Sequence, residues 1–371
     1  MEQKQAVLFT ASSGSHIRSF HLPYLEKFQS SGFEVHLACG APVGDIPNVD
    51  KIIFLPFEKN MLSAKNFAAA RLLRRELSSR DYSLIITHTS LAAFFTRLAL
   101  WWRRSRPPLI NMVHGYLFDD NTPTLKRHIL SLAERICRRQ TDLILTMNSW
   151  DYDFAVKKRL AHNIGAVPGV GVNFKKLDAA EKVSRAEFRA VQGLCDDDFV
   201  MIYAAEFSER KNQRMLIEAL SKLPPRVKLV LAGRGECLES CKALCAELGL
   251  EKRVLMPGFV NNMPQWYSIC DLAVSASRSE GLPFNVMEAL HFGLPLVASR
   301  VKGHSDLIRE GENGVLYDYD DIAGFCAAVT SLSVDEERLQ KMSAAAKSSV
   351  CDYELPRVLP LVMEKYLAML R

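Results

Sequence analysis

Two carboxylates with seven residues between them, Glu280 and Glu288, carry the strongest chemical signal in the chain. Glu280 sits in the loop Arg278-Ser279-Glu280-Gly281, and Glu288 in a helical pattern that Pro283 opens and Gly293 stops. Proline suits a first helical position because its missing N–H would find no partner there, and glycine suits the left-handed position after the last turn. Such a helix points its first backbone N–H groups, those of Phe284 and Asn285, beyond the strand ends, where a diphosphate can be held. Glu288 falls on the side of Phe284 and Asn285 while Met287 and Leu290 face the core, so its carboxylate can accept hydrogen bonds from vicinal hydroxyls such as those of a ribose. Lys211, in Glu206-Phe207-Ser208-Glu209-Arg210-Lys211-Asn212, can neutralise a pyrophosphate as a point charge. Three histidines, His16, His88 and His114, each follow an apolar run. Taken singly, these residues also have ordinary readings: a carboxylate offsetting a helix dipole, a solvated lysine, a hydrogen-bonded histidine.

The elements that position them alternate regularly. Residues 6–10, 34–38, 51–55, 84–87, 109–113 and 143–146 read as buried strands with helices between them. The first strand is followed by a small-residue loop, Ala11-Ser12-Ser13-Gly14-Ser15-His16, and then by one helix carrying Phe20, Leu22, Leu25 and Phe28. This is the opening of a doubly wound parallel sheet of the Rossmann type, whose ligands lie outside the carboxyl ends of the strands. It lacks G-x-G-x-x-G, so no dinucleotide cofactor is indicated. Around Pro168-Gly169-Val170-Gly171-Val172-Asn173 the chain crosses to a second unit. There the alternation restarts, with strands at 199–204, 227–232, 254–256, 272–276 and 294–298. Residues 353–370 read as a helix broken by Pro356 and Pro360.

The stretch E-G-L-P-F-N-V-M-E-A-L followed by G-L-P-L-V-A-S resembles the E-x7-E signature of retaining glycosyltransferases of family 4, the "glycosyl transferases group 1". That resemblance implies an α/β GT-B fold: two Rossmann-like domains with parallel sheets facing across a cleft, and a C-terminal helix crossing back to the first. The expected domains are an acceptor-binding unit, 1–170 plus 353–371, and a nucleotide-sugar-binding unit, 171–352. It implies that Glu280 and His114 meet the donor sugar as the catalytic pair, and that Glu288 holds the ribose. Gly14, Arg210, Lys211, Arg234, Phe259, Leu282, Pro283, Phe284 and Asn285 are the other implied donor contacts, with His16 and His88 on the acceptor side. Ala232-Gly233-Arg234-Gly235-Glu236 resembles the family's strand-end G-x-G-E, and Pro257-Gly258-Phe259-Val260 its base-contacting segment. The family's G-R-L-x-x-x-K-G is matched at Lys211, but Glu206 stands at the usual arginine and Asn212 at the final glycine; Arg210 is the neighbouring cation. No cofactor and no metal are implied, since lysine and helix N–H groups stabilise the leaving diphosphate.

Composition agrees with this picture. The chain has 371 residues, nearly half of them hydrophobic, enough for two cores. Its nine cysteines form no C-x-x-C pair and suggest a reducing compartment. Residues 1–5 lead directly into the first strand, which gives no sign of a signal peptide, and no run is long enough to span a bilayer. Residues 1–175 carry 23 Lys+Arg against 14 Asp+Glu, the remainder 24 against 28. The basic half, with Arg71-Leu72-Leu73-Arg74-Arg75, Trp101-Trp102-Arg103-Arg104-Ser105-Arg106 and residues 126–139, suits an anionic membrane surface, and no nucleic-acid recognition motif accompanies it. The expectation is a cytoplasmic enzyme, peripheral on the inner face of the membrane. It would move a hexose or N-acetylhexosamine from a nucleotide sugar, UDP-linked by analogy, to a glycan or lipid-diphosphate acceptor in bacterial surface polysaccharide synthesis. The rival readings are a nucleotide-sugar epimerase or a phosphorylase of the same shape, and a non-catalytic binding partner.

Overall fold

Short runs of Val, Ile, Leu and Phe bounded by Gly, Ser and Pro shed water on both faces only in the middle of a covered parallel sheet. The computed structural model, which describes residues 4–41 and 44–370, places them there. Residues 1–3, read above as part of a lead into the first strand, lie outside the described residues. The chain forms two compact units, Met1–Gly171 with Pro356–Arg371, and Val172–Leu355.

The first unit contains β1 (Ala6–Ala11), β2 (Glu34–Cys39), β3 (Lys51–Phe54), β4 (Leu84–His88), β5 (Leu109–Val113), β6 (Leu143–Thr146) and β7 (Asn163–Ala166). They pair in the order β3-β2-β1-β4-β5-β6-β7, parallel throughout. The order reverses between β1 and β4, which makes their carboxyl ends the natural ligand position. β1, β4 and β5 are buried along their whole length, whereas the edge strands β3 and β7 are not. β7, Asn-Ile-Gly-Ala, was not among the expected strands, because a short polar edge lacks the continuous apolar run of a central one.

Two expectations for this unit are corrected. Gly14, Ser15 and His16 do not form a loop: Ser13 caps a helix, Gly14–Phe20, by accepting from the His16 N–H. The helix expected to carry Phe20 through Phe28 is two helices, the second being Leu22–Ser30. They part at His21 because Pro23 has no N–H to return to the preceding turn.

The second unit holds β8 (Phe199–Ala204), β9 (Val227–Ala232), β10 (Val254–Gly258), β11 (Leu272–Ser275), β12 (Leu296–Ser299) and β13 (Gly314–Tyr317), in the order β10-β9-β8-β11-β12-β13. Its switch point is between β8 and β11. The last helix, Leu355–Leu367, is not broken as expected. Pro356 lies in the first turn, where no bond is lost, and at Pro360 the helix forgoes one bond and continues. It packs on the first unit: Tyr366 is fully buried, with its ring 6.0 Å from Tyr24 and 6.2 Å from Phe28.

Candidate active site

In the second unit, the loops leaving β8 and β11 are tied by a backbone bond, Arg278 N–H to Arg210 C=O, 2.8 Å. This brings three expected residues together. Glu280, 8% exposed, accepts from Lys211 Nζ at Oε1 and from Arg210 Nη1 at Oε2, 3.2 Å. Burial alone would raise the Glu280 pKa, but the Lys211 and Arg210 charges overcome it and hold the carboxyl at about 2. The carboxylate is also fixed from behind. Ser277 Oγ donates to Oε1 at 2.5 Å, Tyr203 on β8 lies 2.6 Å from Ser277 Oγ, and Ser299 Oγ donates to the Ser277 carbonyl at 2.6 Å. His304 Nδ1 lies 2.9 Å from the Ser299 carbonyl.

The two departures from the family pattern acquire physical reasons here. Asn212 adopts φ 54°, a left-handed conformation that glycine enters without strain and asparagine tolerates better than most residues. Its side chain donates to Asp320 Oδ1 at 2.9 Å. Glu206 points into solvent while its carbonyl is held by Gln213 Nε2 at 2.8 Å, and Arg210 supplies the cation beside Lys211.

The Gly233-Arg234-Gly235 turn after β9 lies flat against this loop. Gly233 and Gly235 have φ of 152° and 155°, and a Cβ on either would stand 1.9 Å from the Ala205 carbonyl oxygen or 2.1 Å from that of Phe207. Only glycine fits so close a backbone approach. Arg234 is thereby set over the ring of Phe259, 5.4 Å from its centroid. Phe259 is 61% exposed, an aromatic face in water that a planar ring could cover.

The helix at the centre of the sequence pattern is Phe284–His291, so Pro283 caps it instead of forming its first helical residue as expected. Gly293 has φ 76°, the left-handed stop anticipated for it. Leu282 and Pro283 are buried and Asn285 is half-buried at the helix start. Glu288 stands apart from the Glu280 cluster, accepting from Tyr267 OH at 3.3 Å. Burial raises its carboxyl to about 7, with the Tyr267 bond only partly opposing this.

In the first unit, the expected histidines meet at the carboxyl ends of β1, β4 and β5. His88 Nδ1 is 3.1 Å from His114 Nε2, and the ring of His16 is 4.6 Å from that of His114. A fourth member is His21, to which sequence reading gave no site role of its own; its Nε2 is 3.3 Å from His16 Nε2 and its ring lies 3.8 Å from that of His88. The five-residue spacing of His16 and His21 is off-period for one helix, and the helix break between them is what turns both rings inward. Gly14 is buried beneath, its N–H bonded to the Gly40 carbonyl at 3.0 Å. Tyr267, Ser277, Tyr203 and His304 also escaped sequence reading: strand-end serines and buried tyrosines carry no motif of their own.

The family model described as "Glycosyl transferases group 1" matches residues 184–349, and that described as "Glycosyltransferase Family 4" matches residues 24–168. The chain is 29% identical to "Putative glycosyltransferase EpsD" of Bacillus subtilis (strain 168), over 98% of this chain and 96% of that one. It is 23% identical to the UDP-Gal:alpha-D-GlcNAc-diphosphoundecaprenol alpha-1,3-galactosyltransferase of Escherichia coli, over 91% and 89% of the two chains. Among solved structures, Anabaena Alr3699/HepE in complex with UDP-glucose superposes with a TM-score of 0.76 at 20% identity, covering 98% of this chain and 99% of that one. That likeness shows the GT-B fold.

Proposed function

Because the chain belongs to the family 4 glycosyltransferases, the glycosyl transferases group 1, and is a hexosyltransferase acting on nucleotide sugars in glycan biosynthesis, we propose the following division of labour. The second unit holds a UDP-linked hexose or N-acetylhexosamine. Lys211 and Arg210 neutralise the diphosphate, aided by the start of the helix Phe284–His291, and Glu280 orients these cations and the sugar. Glu288 accepts the ribose hydroxyls, and Arg234 with Phe259 takes the base. His114 of the first unit contacts the sugar, and His16 and His88 belong to the acceptor side. Transfer proceeds with retention, the acceptor hydroxyl attacking on the face from which the diphosphate departs. The single observation that carries this reading is the buried Lys211–Glu280 pair, with Arg210 closing it from the solvent side, at the switch point of the second sheet. Diphosphate charge developing on departure is stabilised there by cations already in place.

Nucleotide sugars should raise the melting temperature, a ligand at a hundred times its Kd adding about 2.7 kcal/mol. UDP-sugars should do so more than their GDP and ADP counterparts. No shift with any nucleotide sugar would overturn the donor assignment. Conversion of the donor without an acceptor would instead favour the epimerase reading.

A lipid-diphosphate acceptor is the second part of the proposal, and the helix Thr124–Ile136 supports it. Leu125, Ile129, Leu132 and Ile136 recur at helical spacing and are 46–75% exposed, an apolar stripe turned to solvent. Lys126, Arg127, Arg135, Arg138 and Arg139 border it. Apolar side chains flanked by cations suit the headgroup boundary of an anionic bilayer, each cation adding about 1 kcal/mol. No described helix is long and apolar enough to cross a membrane. The chain should therefore sediment with phosphatidylglycerol vesicles, less so as salt rises, and Ile129→Glu with Leu132→Glu should cut partitioning by roughly tenfold or more. Equal sedimentation of variant and parent would remove the membrane part of the proposal.

A further inference from the structure

Four of the first unit's histidines form a denser constellation than a sugar or acceptor contact requires. His16, His21, His88 and His114 each offer one ring nitrogen, and these four nitrogens all lie within 4.8 Å of one another. They come from separate places in the chain: the helix after β1, the break before the helix Leu22–Ser30, the end of β4 and the residue after β5. Two pair distances, 3.3 Å for His16–His21 and 3.1 Å for His88–His114, match the edge of a tetrahedron around zinc, about 3.3 Å for Zn–N bonds of 2.0–2.1 Å.

Two alternatives compete for this geometry. Neutral imidazoles can pair by N–H···N bonds, and both distances allow it. Such pairing joins the rings two by two and does not account for all four rings bringing a nitrogen within 4.8 Å of the others. Four imidazolium charges this close together in a buried setting would repel one another. Rings that stay neutral keep a lone pair, the form that binds metal.

We propose that His16, His21, His88 and His114 form a binding site for one divalent transition-metal ion of the zinc class. An all-imidazole donor set suits Zn²⁺, Co²⁺, Ni²⁺ and Cu²⁺ and disfavours Mg²⁺ and Ca²⁺, which seek oxygen. His21 and His88 are fully buried and form the floor, while His16 and His114 are half-buried and form the rim. The ion would clasp the ends of β1, β4 and β5 across the switch point. Imidazole has two nitrogens, so His114 can ligate through Nε2 and offer Nδ1 to a substrate hydroxyl. The inference stands independently of the roles given to Lys211, Arg210, Glu280 and Glu288, because its ligands all belong to the first unit.

The test uses Co²⁺ as a spectroscopic stand-in on the full chain after treatment with a chelator. Titration should give the intense visible bands of four-coordinate cobalt, saturating at a single ion per chain and displaced by Zn²⁺. His16→Asn, on the rim, should remain folded by circular dichroism and lose affinity about tenfold to a hundredfold, and His88→Asn should lose the bands. Only the weak spectrum of hydrated cobalt with the parent chain would overturn the proposal and leave hydrogen-bonded imidazoles. So would unchanged affinity in a folded His16→Asn. Neither readout involves turnover, so failure here is distinct from failure of the transferase reading.

Discussion

Lys211→Ala should abolish most transfer and at the same time destabilise the second unit. Both Lys211 and Glu280 are 8% exposed, so removing the lysine leaves a carboxylate buried with only the half-exposed Arg210 to balance it. Breaking one partner of a buried pair costs about 3–5 kcal/mol. For a unit of this size that corresponds to a fall in Tm of roughly 10 °C. The pH dependence follows from the Glu280 shift. Its folded pKa, about 2, lies below the unfolded value near 4.5, so the pair contributes stability above pH 4.5 that is lost as pH falls through 2. In Lys211→Ala that contribution shrinks, and the difference from the parent should narrow toward strongly acidic pH. Loss of a preorganised cation at a departing diphosphate costs about 10²–10³ in kcat. A double variant, Lys211→Met with Glu280→Gln, separates the two roles: it should recover most of the stability, since neutral neighbours need no pairing, and none of the turnover. Recovery of turnover in that variant would show that the lysine matters only to folding.

Glu288→Gln should stabilise the protein above neutral pH while weakening donor binding. Burial beside Tyr267 raises the Glu288 carboxyl to about 7, well above its unfolded value. Between pH 4.5 and 7 the folded chain therefore keeps a proton the unfolded chain has released, and stability falls as pH rises through that window. The penalty is about 2 kcal/mol once partial solvent contact is allowed for. Glutamine carries no charge to desolvate, so the variant should melt higher than the parent at about pH 8 and equally at about pH 4. Ribose hydroxyls donate to a carboxylate, which makes the ionised form the binding form. Donor affinity of the parent should thus weaken as pH drops below 7, and the variant should lose about tenfold, the value of a charged hydrogen bond. An unchanged Michaelis constant for donor would contradict the ribose assignment; pH-independent melting differences would contradict the buried-carboxylate account.

Much of this was legible because the strands announce themselves. Runs such as 109–113, 143–146 and 199–204 coincide with β5, β6 and β8, since a strand buried on both faces has nowhere to put a polar residue. The Lys211–Glu280 pairing was foreshadowed only as two separate motifs; the 2.8 Å backbone bond between their loops is a tertiary fact with no local signature. His21 was passed over as part of a continuous helix, because the effect of Pro23 on the helix was not weighed against the apolar period. The persistence of the last helix through Pro360 is the converse case. There burial of Val358, Val362, Met363 and Tyr366 outweighs a lost hydrogen bond that local rules treat as decisive.

That last helix also bears on the order in which the protein matures. Residues from Pro356 onward complete the core of the first unit, filling the space beside Tyr24 and Phe28, yet they leave the ribosome only after the whole second unit. The second unit is one unbroken segment and can reach its native state while synthesis continues. The earlier-made unit must wait with an unfilled gap in its apolar interior, so deleting residues 356–370 damages the first unit before the second.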